Sequence, residues 1–312
     1  MKKRIAFVFP GQGSQYVGMG KALAEGVGAA AEVFSRAEEV SGIPVRRLCL
    51  EGPMEELTKT RNLQVCLAAV EIAVLFAARE AGLEAVAVAG HSLGECTALF
   101  AAGVLDLADT FGLVAERGRL MDEAASKNPG AMAAIIGLSR QEIEDLMEPI
   151  SKKGILALAN YNSPEQIVAT GEKALVEELC QAVKEKGKKG IILKVSGAYH
   201  SPMMEGPARE FARILDQVDF RPAKVPIYSN VSAMAETDPE RIRSLLARQM
   251  VSPVRWSEIV TGMRRDGVEA FVELGPKSVL ANLVKKCLPE GDVQVFAVED
   301  PKGIRECRPV LF

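Results

Sequence analysis

Histidine is scarce in this chain of 312 residues, which contains only two, and there is a single tryptophan. The six cysteines, at positions 49, 66, 96, 180, 287 and 307, include no pair with C-x-x-C spacing. This shortage of ligands argues against a structural zinc site, so we expect no metal. Scattered cysteines also fit a reducing compartment better than a disulfide framework.

An excess of charge of one sign is missing as well. The chain has 38 Lys and Arg against 41 Asp and Glu, a net charge of −3, whereas general nucleic-acid binding usually needs a strong basic excess. No apolar run approaches the length of a membrane span, and the first one, Ile5–Phe9, is too short for a signal peptide. We therefore expect a soluble cytoplasmic protein that binds neither nucleic acid nor membrane.

The residues that are present predict an α/β fold. The continuous apolar run Ile5–Phe9 predicts a buried parallel strand, because it ends at a Pro-Gly pair. Helical patterns follow to about residue 40 and over residues 63–81, with Asn62 as the expected N-cap. A second short strand over residues 86–89 continues the alternation, which is typical of a mostly parallel sheet with helices on both faces.

Residues 131–195 follow a different order, β-α-β-β-α-β, which is typical of a ferredoxin-like unit. Strands are expected at 132–138, 155–160, 166–170 and 190–195, and helices at 140–152 and 173–186. The main sheet resumes near residues 225–228, 268–274 and 293–298. We predict a large subdomain from residues 1–128 and 197–312, a small inserted subdomain from residues 129–196, and a ligand cleft between them.

One motif carries the strongest functional signal. Gly90-His91-Ser92-Leu93-Gly94 follows the second strand and precedes a helical stretch. Strand, glycine, serine, glycine and helix form the nucleophile-elbow pattern, in which a sharp turn exposes the serine hydroxyl. The helix start behind the serine offers N–H donors to a developing oxyanion. The alternative is an ordinary strand-to-helix turn, since the pattern also occurs by chance.

A serine nucleophile needs a base, and the scarcity of histidine makes the choice almost unique. His91 is adjacent to Ser92, so its side chain is not expected to reach the neighbouring hydroxyl, and we predict a packing or hydrogen-bonding role for it. His200 remains as the base. No acidic residue near it is an obvious third member of a triad, so a backbone carbonyl is expected to orient its ring.

Two further features belong near this pair. Gly11-Gln12-Gly13 lies at the C-terminal end of the first strand, the edge where open α/β sheets bind ligands. A backbone N–H of this segment is a candidate second donor to an oxyanion; the alternative is a plain turn. The helical neighbours of Arg117 at three and four residues are all apolar: Leu113, Val114, Leu120 and Met121. Its guanidinium should therefore face inward and have an anionic partner, either a substrate carboxylate or a structural Asp or Glu.

Several ordered motifs at characteristic spacing resemble the malonyl-CoA:acyl carrier protein transacylase family, over nearly the whole chain. They are Phe9-Pro-Gly-Gln-Gly-Ser-Gln15, Gly90 to Glu95, Arg117-Gly118, Asn162-Ser-Pro164, Ser196 to Ser201, Gln249 with Pro253-Val254 and Trp256, and Glu273-Leu-Gly-Pro276. Four residues depart from the usual family residues without touching a catalytic position: Val65 and Cys66 in Gln64-Val65-Cys66, Cys96, and Lys277.

The resemblance implies a hydrolase-like core with a ferredoxin-like insert, and malonyl transfer from malonyl-CoA to the phosphopantetheine thiol of acyl carrier protein. It implies that Ser92 is the nucleophile and His200 its base. The amides of Gln12 and Leu93 would form the oxyanion hole, Arg117 would bind the malonyl carboxylate, and the Gln249 carbonyl would orient His200. No cofactor is needed, and a monomer is expected.

Two other functions share parts of this pattern. An acyl-thioester hydrolase or editing enzyme of the same fold would use the same serine and histidine but would have no need for Arg117. A non-catalytic binding module of an assembly line would have no need for an intact Ser–His pair. The basic pairs Lys188-Lys189 and Lys285-Lys286 are candidate docking sites for the carrier protein, with a plain solvated surface as the alternative.

Overall fold

The computed structural model describes residues 3–26, 28–289 and 293–311. Over these residues the chain forms two sheets with helices packed around them. The strands are β1 (Ile5–Phe9), β2 (Ala87–Gly90), β3 (Ala131–Ile136), β4 (Leu156–Ser163), β5 (Gln166–Gly171), β6 (Lys189–Ile192), β7 (Ile227–Tyr228), β8 (Ala235–Glu236), β9 (Ala270–Leu274) and β10 (Gln294–Val298).

The α-helices alternate with the strands along most of the chain. They are α1 (Lys21–Ala24), α2 (Ala29–Ser41), α3 (Val45–Leu50), α4 (Met54–Thr58), α5 (Thr60–Glu80), α6 (Gly94–Ala101), α7 (Leu107–Lys127), α8 (Arg140–Ser151), α9 (Lys173–Glu185), α10 (Glu205–Leu215), α11 (Pro239–Gln249), α12 (Trp256–Arg265), α13 (Val279–Cys287) and α14 (Pro301–Leu311). A short 3₁₀ helix, Pro202–Met204, precedes α10.

The larger sheet has the strand order β10-β9-β1-β2-β7-β8, and every pair in it is parallel except β7–β8. Its central strands are buried along their whole length, as expected for a parallel sheet covered on both faces. The register places Phe9 opposite Gly90, so β1 and β2 end side by side. The loop that contains Gln12 and the turn that contains Ser92 therefore leave the sheet at the same edge.

The smaller sheet has the order β4-β5-β3-β6 and is antiparallel, with α8 and α9 in the order β-α-β-β-α-β. The predicted fold, a mostly parallel core with a ferredoxin-like insert, is confirmed. The last strand of the insert ends at Ile192 rather than at residue 195: Leu193 still donates to the Met132 carbonyl of β3 at 2.9 Å, and beyond it the chain lines the cleft. The division at residues 128/129 and 196/197 stays a prediction.

Helix α5 corrects two expectations. It begins at Thr60 with Lys59 in the N-cap position, so Asn62 lies inside the first turn and donates from Nδ2 to the Glu56 carbonyl at 2.9 Å. The expectation that no apolar run approaches membrane-span length is also wrong. This helix of 21 residues is long and apolar enough to cross a membrane, but 78% of its most apolar window is buried inside the protein, which is typical of a core helix.

Candidate active site

Ser92 lies in a sharp turn between β2 and α6, with φ of 54° in the left-handed region. The turn is possible only because its two glycines have no side chains. A Cβ on Gly90 would lie 1.8 Å from the carbonyl carbon of Gly94, and a Cβ on Gly94 would lie 2.1 Å from the carbonyl oxygen of Phe9. The predicted elbow is therefore present and packs directly against the end of β1.

The side chain of Asn230 braces this turn from the loop that follows β7. Its Oδ1 accepts from the backbone N–H of Ser92 at 2.7 Å, and its Nδ2 donates to the carbonyl of Gly90 at 2.6 Å. Asn230 is fully buried. One rigid amide thus fixes the backbone on both sides of His91, which limits the positions that the Ser92 hydroxyl can take.

His200 is 4% exposed and has φ of 59°. Its Nε2 lies 2.8 Å from the Ser92 hydroxyl, and its Nδ1 lies 3.0 Å from the carbonyl oxygens of both Gln249 and Ser252. Because carbonyl oxygens only accept, Nδ1 must carry the proton, and Nε2 is left free to accept from the Ser92 hydroxyl. This is the tautomer that a general base requires.

Arg117, on α7, is wholly buried. Its Nη1 donates to Gln64 Oε1 at 2.8 Å, and its Nη2 donates to Gln249 Oε1 at 2.7 Å and to Ser92 Oγ at 3.1 Å. Its Nε is buried without a hydrogen-bond partner. Arg117 takes part in none of the ion pairs between described residues. The guanidinium is thus a buried cation whose hydrogen bonds are all to neutral groups, and its Nε–H has no acceptor in the described part of the chain.

Gln249 connects these groups. Its Nε2 donates to the carbonyl of Ser92 at 2.8 Å and to Glu95 Oε2 at 2.5 Å, while its Oε1 accepts from Arg117. Glu95, in the first turn of α6, also accepts from the backbone N–H of Asn230 at 3.1 Å. Ser92, Arg117 and the base therefore share one continuous network of buried hydrogen bonds.

A cleft with about 550 Å³ of empty space, its open mouth included, lies over the Ser–His pair. It is lined by Met132 of β3 and Asn160 of β4 in the smaller sheet, and by Gln12 and Leu93 from the segments that follow β1 and β2 of the larger sheet. The segment between α11 and α12 pairs with β4 through the bridge between Asn160 and Val254, and this attaches the smaller sheet to that segment beside the cleft. A ligand there would contact both parts of the chain.

Burial sets the charge states of the site. It lowers the pKa of His200 to about 3, with a further contribution from the nearby Arg117 charge, so the ring is neutral at pH 7. Burial raises the pKa of Glu95 to about 7 and that of the Cys96 thiol to about 11. Cys96 is therefore a protonated thiol and a poor nucleophile. Burial also lowers the pKa of the Arg117 guanidinium.

Comparison with known proteins identifies the family. A family model described as the acyl transferase domain matches residues 6–305. The chain belongs to the acyl transferase domain family. It is 42% identical over 303 residues to the malonyl CoA-acyl carrier protein transacylase of Bacillus subtilis strain 168, covering 96% of this chain and 95% of that protein. The resemblance seen in the motifs is thereby confirmed.

Solved structures of the same family superpose closely. An acyl carrier protein S-malonyltransferase from Vibrio cholerae is 38% identical with a TM-score of 0.92, covering 97% of this chain and 99% of that chain. A malonyl-transacylase in complex with its type II polyketide synthase acyl-carrier protein is 37% identical with a TM-score of 0.93, covering 97% and 98% of the two chains. The acyl transferase fold is therefore shared over essentially the full length.

The structure brings together all six residues that the sequence singled out. Ser92, His200, Arg117 and Gln249 are joined by direct hydrogen bonds, and Gln12 and Leu93 line the same cleft. The structural salt bridge considered for Arg117 is absent from the described residues, because amide and hydroxyl oxygens occupy the near side of its guanidinium. His91 contacts Asn162 at 2.8 Å and packs against Trp256, away from the hydroxyl.

Sequence reasoning gave no role to four residues of this network: Gln64, Glu95, Asn230 and Ser252. Glu95 could have been noticed, since it lies three residues after Ser92 as the one charged residue of helix α6. A buried carboxylate beside a nucleophile needs partners. Asn230 and Ser252 gave no local signal, because their contacts are with residues more than 50 positions away.

Proposed function

We propose that this acyl transferase moves a malonyl group from malonyl-CoA to the phosphopantetheine thiol of an acyl carrier protein, through a malonyl ester on Ser92. The substrate class is inferred from the Arg117 guanidinium. This group is buried, lacks a carboxylate partner among the described residues, and lies 3.1 Å from the Ser92 hydroxyl. A carboxylate on the acyl group would supply that partner. The names of the relatives support the same substrate.

In the first half-reaction, Nε2 of His200 takes the proton of the Ser92 hydroxyl as its oxygen attacks the thioester carbonyl. The carbonyl oxygen becomes an oxyanion, for which the backbone N–H groups of Gln12 and Leu93 are the proposed donors. The carbon–sulfur bond then breaks, and the coenzyme A thiolate leaves with the proton from His200.

The second half-reaction runs through the same groups in reverse. Nε2 of His200 takes the proton of the carrier thiol, whose sulfur attacks the ester carbonyl of malonyl-Ser92. The carbon–oxygen bond breaks, and the Ser92 oxygen recovers its proton from His200. These residues account for the whole cycle, and we propose that it needs no bound cofactor.

Two alternatives have different requirements. A hydrolase of the same fold would let water attack the ester and would gain nothing from a buried cation at the acyl group. A non-catalytic binding module would not need His200 held in the tautomer that accepts the Ser92 proton. The observed pairing supports catalysis, and the arginine favours transfer of a carboxylated acyl group.

Intact-mass measurement after incubation with malonyl-CoA tests the proposal. The wild-type protein should gain one malonyl group, peptide mapping should place it on Ser92, and addition of carrier protein should remove it. Ser92→Ala should gain none, whereas Cys96→Ser, which removes the neighbouring buried thiol, should still be labelled. A label on Cys96, or release to water as fast as to the carrier, would contradict the proposal.

For the carrier, we propose docking beside the edge strand β6. Lys188 and Lys189 are exposed, Ile191 and Ile192 are 48% and 45% exposed, and the chain continues directly to Leu193, which lines the cleft. A basic and apolar edge next to the cleft mouth suits an acidic protein partner.

Charge reversal tests this docking surface. Lys188→Glu with Lys189→Glu should raise the KM for carrier protein and leave acylation by malonyl-CoA unchanged. Lys302→Glu, at an exposed lysine of α14 that is not part of this edge, is the control. If reversal of Lys285 and Lys286 has the larger effect on the carrier KM, docking involves the end of α13 instead.

A further inference from the structure

The side-chain amide of Gln249 lies between a buried cation and a buried carboxylate. Its Oε1 accepts from Arg117 Nη2 at 2.7 Å, and its Nε2 donates to Glu95 Oε2 at 2.5 Å and to the Ser92 carbonyl at 2.8 Å. Both hydrogens of the amide nitrogen are used. Gln249 is 1% exposed, so water cannot replace these partners.

This arrangement allows the amide only one orientation. If it were flipped, its NH₂ group would face the donor N–H of Arg117, and its oxygen would face two acceptors, the Glu95 carboxylate and the Ser92 carbonyl. Such a flip would lose three buried hydrogen bonds and create repulsive contacts in their place. Because the Ser92 carbonyl is a weak neutral acceptor, the carboxylate of Glu95 is the stronger determinant on that side.

Glu95 acts on the elbow as well. Its second oxygen accepts from the backbone N–H of Asn230, whose side chain holds Ser92 and Gly90. Glu95 is 4% exposed, and the Arg117 charge acts on it through space without an ion pair between them. The negative charge that balances Arg117 is thus one amide away, and among the described residues no carboxylate contacts the guanidinium, which lines the cleft.

We propose that Glu95 is a positioning residue for acyl-group selection: through the Gln249 amide it fixes the Arg117 guanidinium toward Ser92 without occupying the place of the substrate carboxylate. The inference rests on the proposed malonyl transfer. A carboxylate in direct contact with Arg117 would compete with the acyl group, whereas a carboxylate behind an amide orients the cation and leaves its outer side free.

Glu95→Gln tests the inference, because it removes the charge while keeping the size. Its side-chain amide cannot accept at both ends, so either Gln249 or Asn230 loses an acceptor. Single-turnover acylation by malonyl-CoA should fall by about 10- to 100-fold, while acylation by acetyl-CoA should fall clearly less. The ratio of the two rates is the readout, since a general loss of structure would lower both rates equally.

Glu71→Gln is the matched control. Glu71 is also a fully buried glutamate, on the adjacent helix α5, but its contact is with Thr97 and not with the Arg117 network. Its substitution should leave the malonyl-to-acetyl ratio unchanged. In an Arg117→Ala background, Glu95→Gln should no longer alter the malonyl-to-acetyl ratio, because its effect on selection acts through Arg117. Any remaining effect through Asn230 and the elbow should lower both rates by the same factor.

If Glu95→Gln does not fold, the test is made on the wild-type protein instead. The ratio of the malonyl to the acetyl acylation rate is then measured from about pH 8 to about pH 6. Burial raises the pKa of Glu95 to about 7, so its charge is lost across this range, while His200 stays neutral. The ratio should fall several-fold toward low pH.

Of the groups that act on Glu95, none titrates between about pH 6 and about pH 8. Glu273, whose pKa burial also raises to about 7, contacts the N–H groups of Leu280 and Ala281 and not the Arg117 network. Arg117 is the charged group acting on it, and Gln249, Asn230 and Ser229 are neutral contacts. Cys96 keeps its proton, since burial raises its pKa to about 11. Glu71, whose pKa burial also raises, is tested by repeating the profile with Glu71→Gln, which should give the wild-type curve.

The outcomes separate this inference from the proposed function. If the wild-type protein acquires malonyl on Ser92 and prefers it over acetyl, but Glu95→Gln keeps the wild-type ratio, the role of Glu95 is refuted alone. Additive effects of Glu95→Gln and Arg117→Ala on the malonyl-to-acetyl ratio would refute it as well. If the wild-type protein acquires no malonyl group, the proposed function itself fails.

Discussion

Replacing Arg117 by alanine should separate malonyl transfer from acetyl transfer. In the free protein the guanidinium is wholly buried, and its Nη2 already touches the Ser92 hydroxyl at 3.1 Å. A malonyl group on Ser92 would place its carboxylate within reach of that cation. An acetyl group has no carboxylate and would leave the cation as it is. The substitution therefore removes an interaction that only the malonyl substrate makes.

The expected loss of malonyl acylation follows from the burial of Arg117. Truncating one partner of a buried, hydrogen-bonded charge pair costs about 2–5 kcal/mol. Part of the Arg117 donor capacity is already used by Gln64 and Gln249, while Nε is unpartnered. We therefore expect a loss toward the middle of that range, roughly 10²–10³-fold in malonyl acylation. Acetyl acylation should fall by less than about tenfold, or rise.

Stability must be measured alongside, because Arg117→Ala leaves the amide oxygens of Gln64 and Gln249 without their donor. Each buried unsatisfied acceptor costs about 1–3 kcal/mol. Arg117→Lys should not restore malonyl transfer, since an ammonium cannot reproduce the planar fork that reaches Gln64, Gln249 and Ser92 together.

The assay is single-turnover acylation with each acyl-CoA, followed by intact mass, with thermal unfolding of every variant. Arg119→Ala is the matched control on the same helix: its side chain is 34% exposed and pairs with surface glutamates. It should leave both rates unchanged. Equal losses of malonyl and acetyl transfer in a folded Arg117→Ala protein would make the arginine structural and refute the reasoning.

Three further outcomes are expected. His200→Ala should slow acylation by about 10²–10⁴-fold, and His91→Ala should cost less in the chemical step; equal losses in folded proteins would mean that the roles are misassigned. Asn230→Ala should slow acylation by malonyl-CoA and acetyl-CoA by similar factors, because it loosens the turn around Ser92; an altered ratio would contradict this. Burial raises the pKa of Glu71 well above the ordinary 4.5, so the native state binds more protons than the unfolded state and stability falls as pH rises above about 4.5. Buried Glu95 and Glu273, whose pKa values are raised to about 7, contribute in the same direction, so Glu71→Gln should reduce this slope without abolishing it in urea unfolding at several pH values. An unchanged slope would exclude Glu71 as one of its sources.

The elements were predictable because their signals are local. The run Ile5–Phe9 and the order β-α-β-β-α-β can be recognised within short windows, and they correspond to β1 and to the smaller sheet. The apolar neighbours of Arg117 predicted its inward direction correctly. Where a helix begins was less certain: Lys59 rather than Asn62 precedes α5, because the short helix α4 ends immediately before it.

The partners of the catalytic side chains were not predictable in the same way. The pairing of Ser92 with His200 followed from scarcity, since a chain with two histidines offers few choices. Gln, Asn and Glu are more numerous than histidine in this chain, so each of them has many possible partners. Gln249 and Glu95 are 154 residues apart, and no periodicity links them. What selects such a contact is the packing of α11 against the elbow, which exists only in the folded chain.

The contact of Arg117 with Ser92 connects substrate selection to the chemical step. The Arg117 charge helps to lower the pKa of His200 to about 3, after the larger effect of burial, so the ring in the free protein is neutral but weakly basic. A malonyl carboxylate paired with Arg117 would neutralise that charge and raise the basicity of His200, whereas an acetyl group would not. Selection for a carboxylated acyl group should therefore appear in kcat as well as in KM, because the same ion pair that holds the substrate also strengthens the base that activates Ser92.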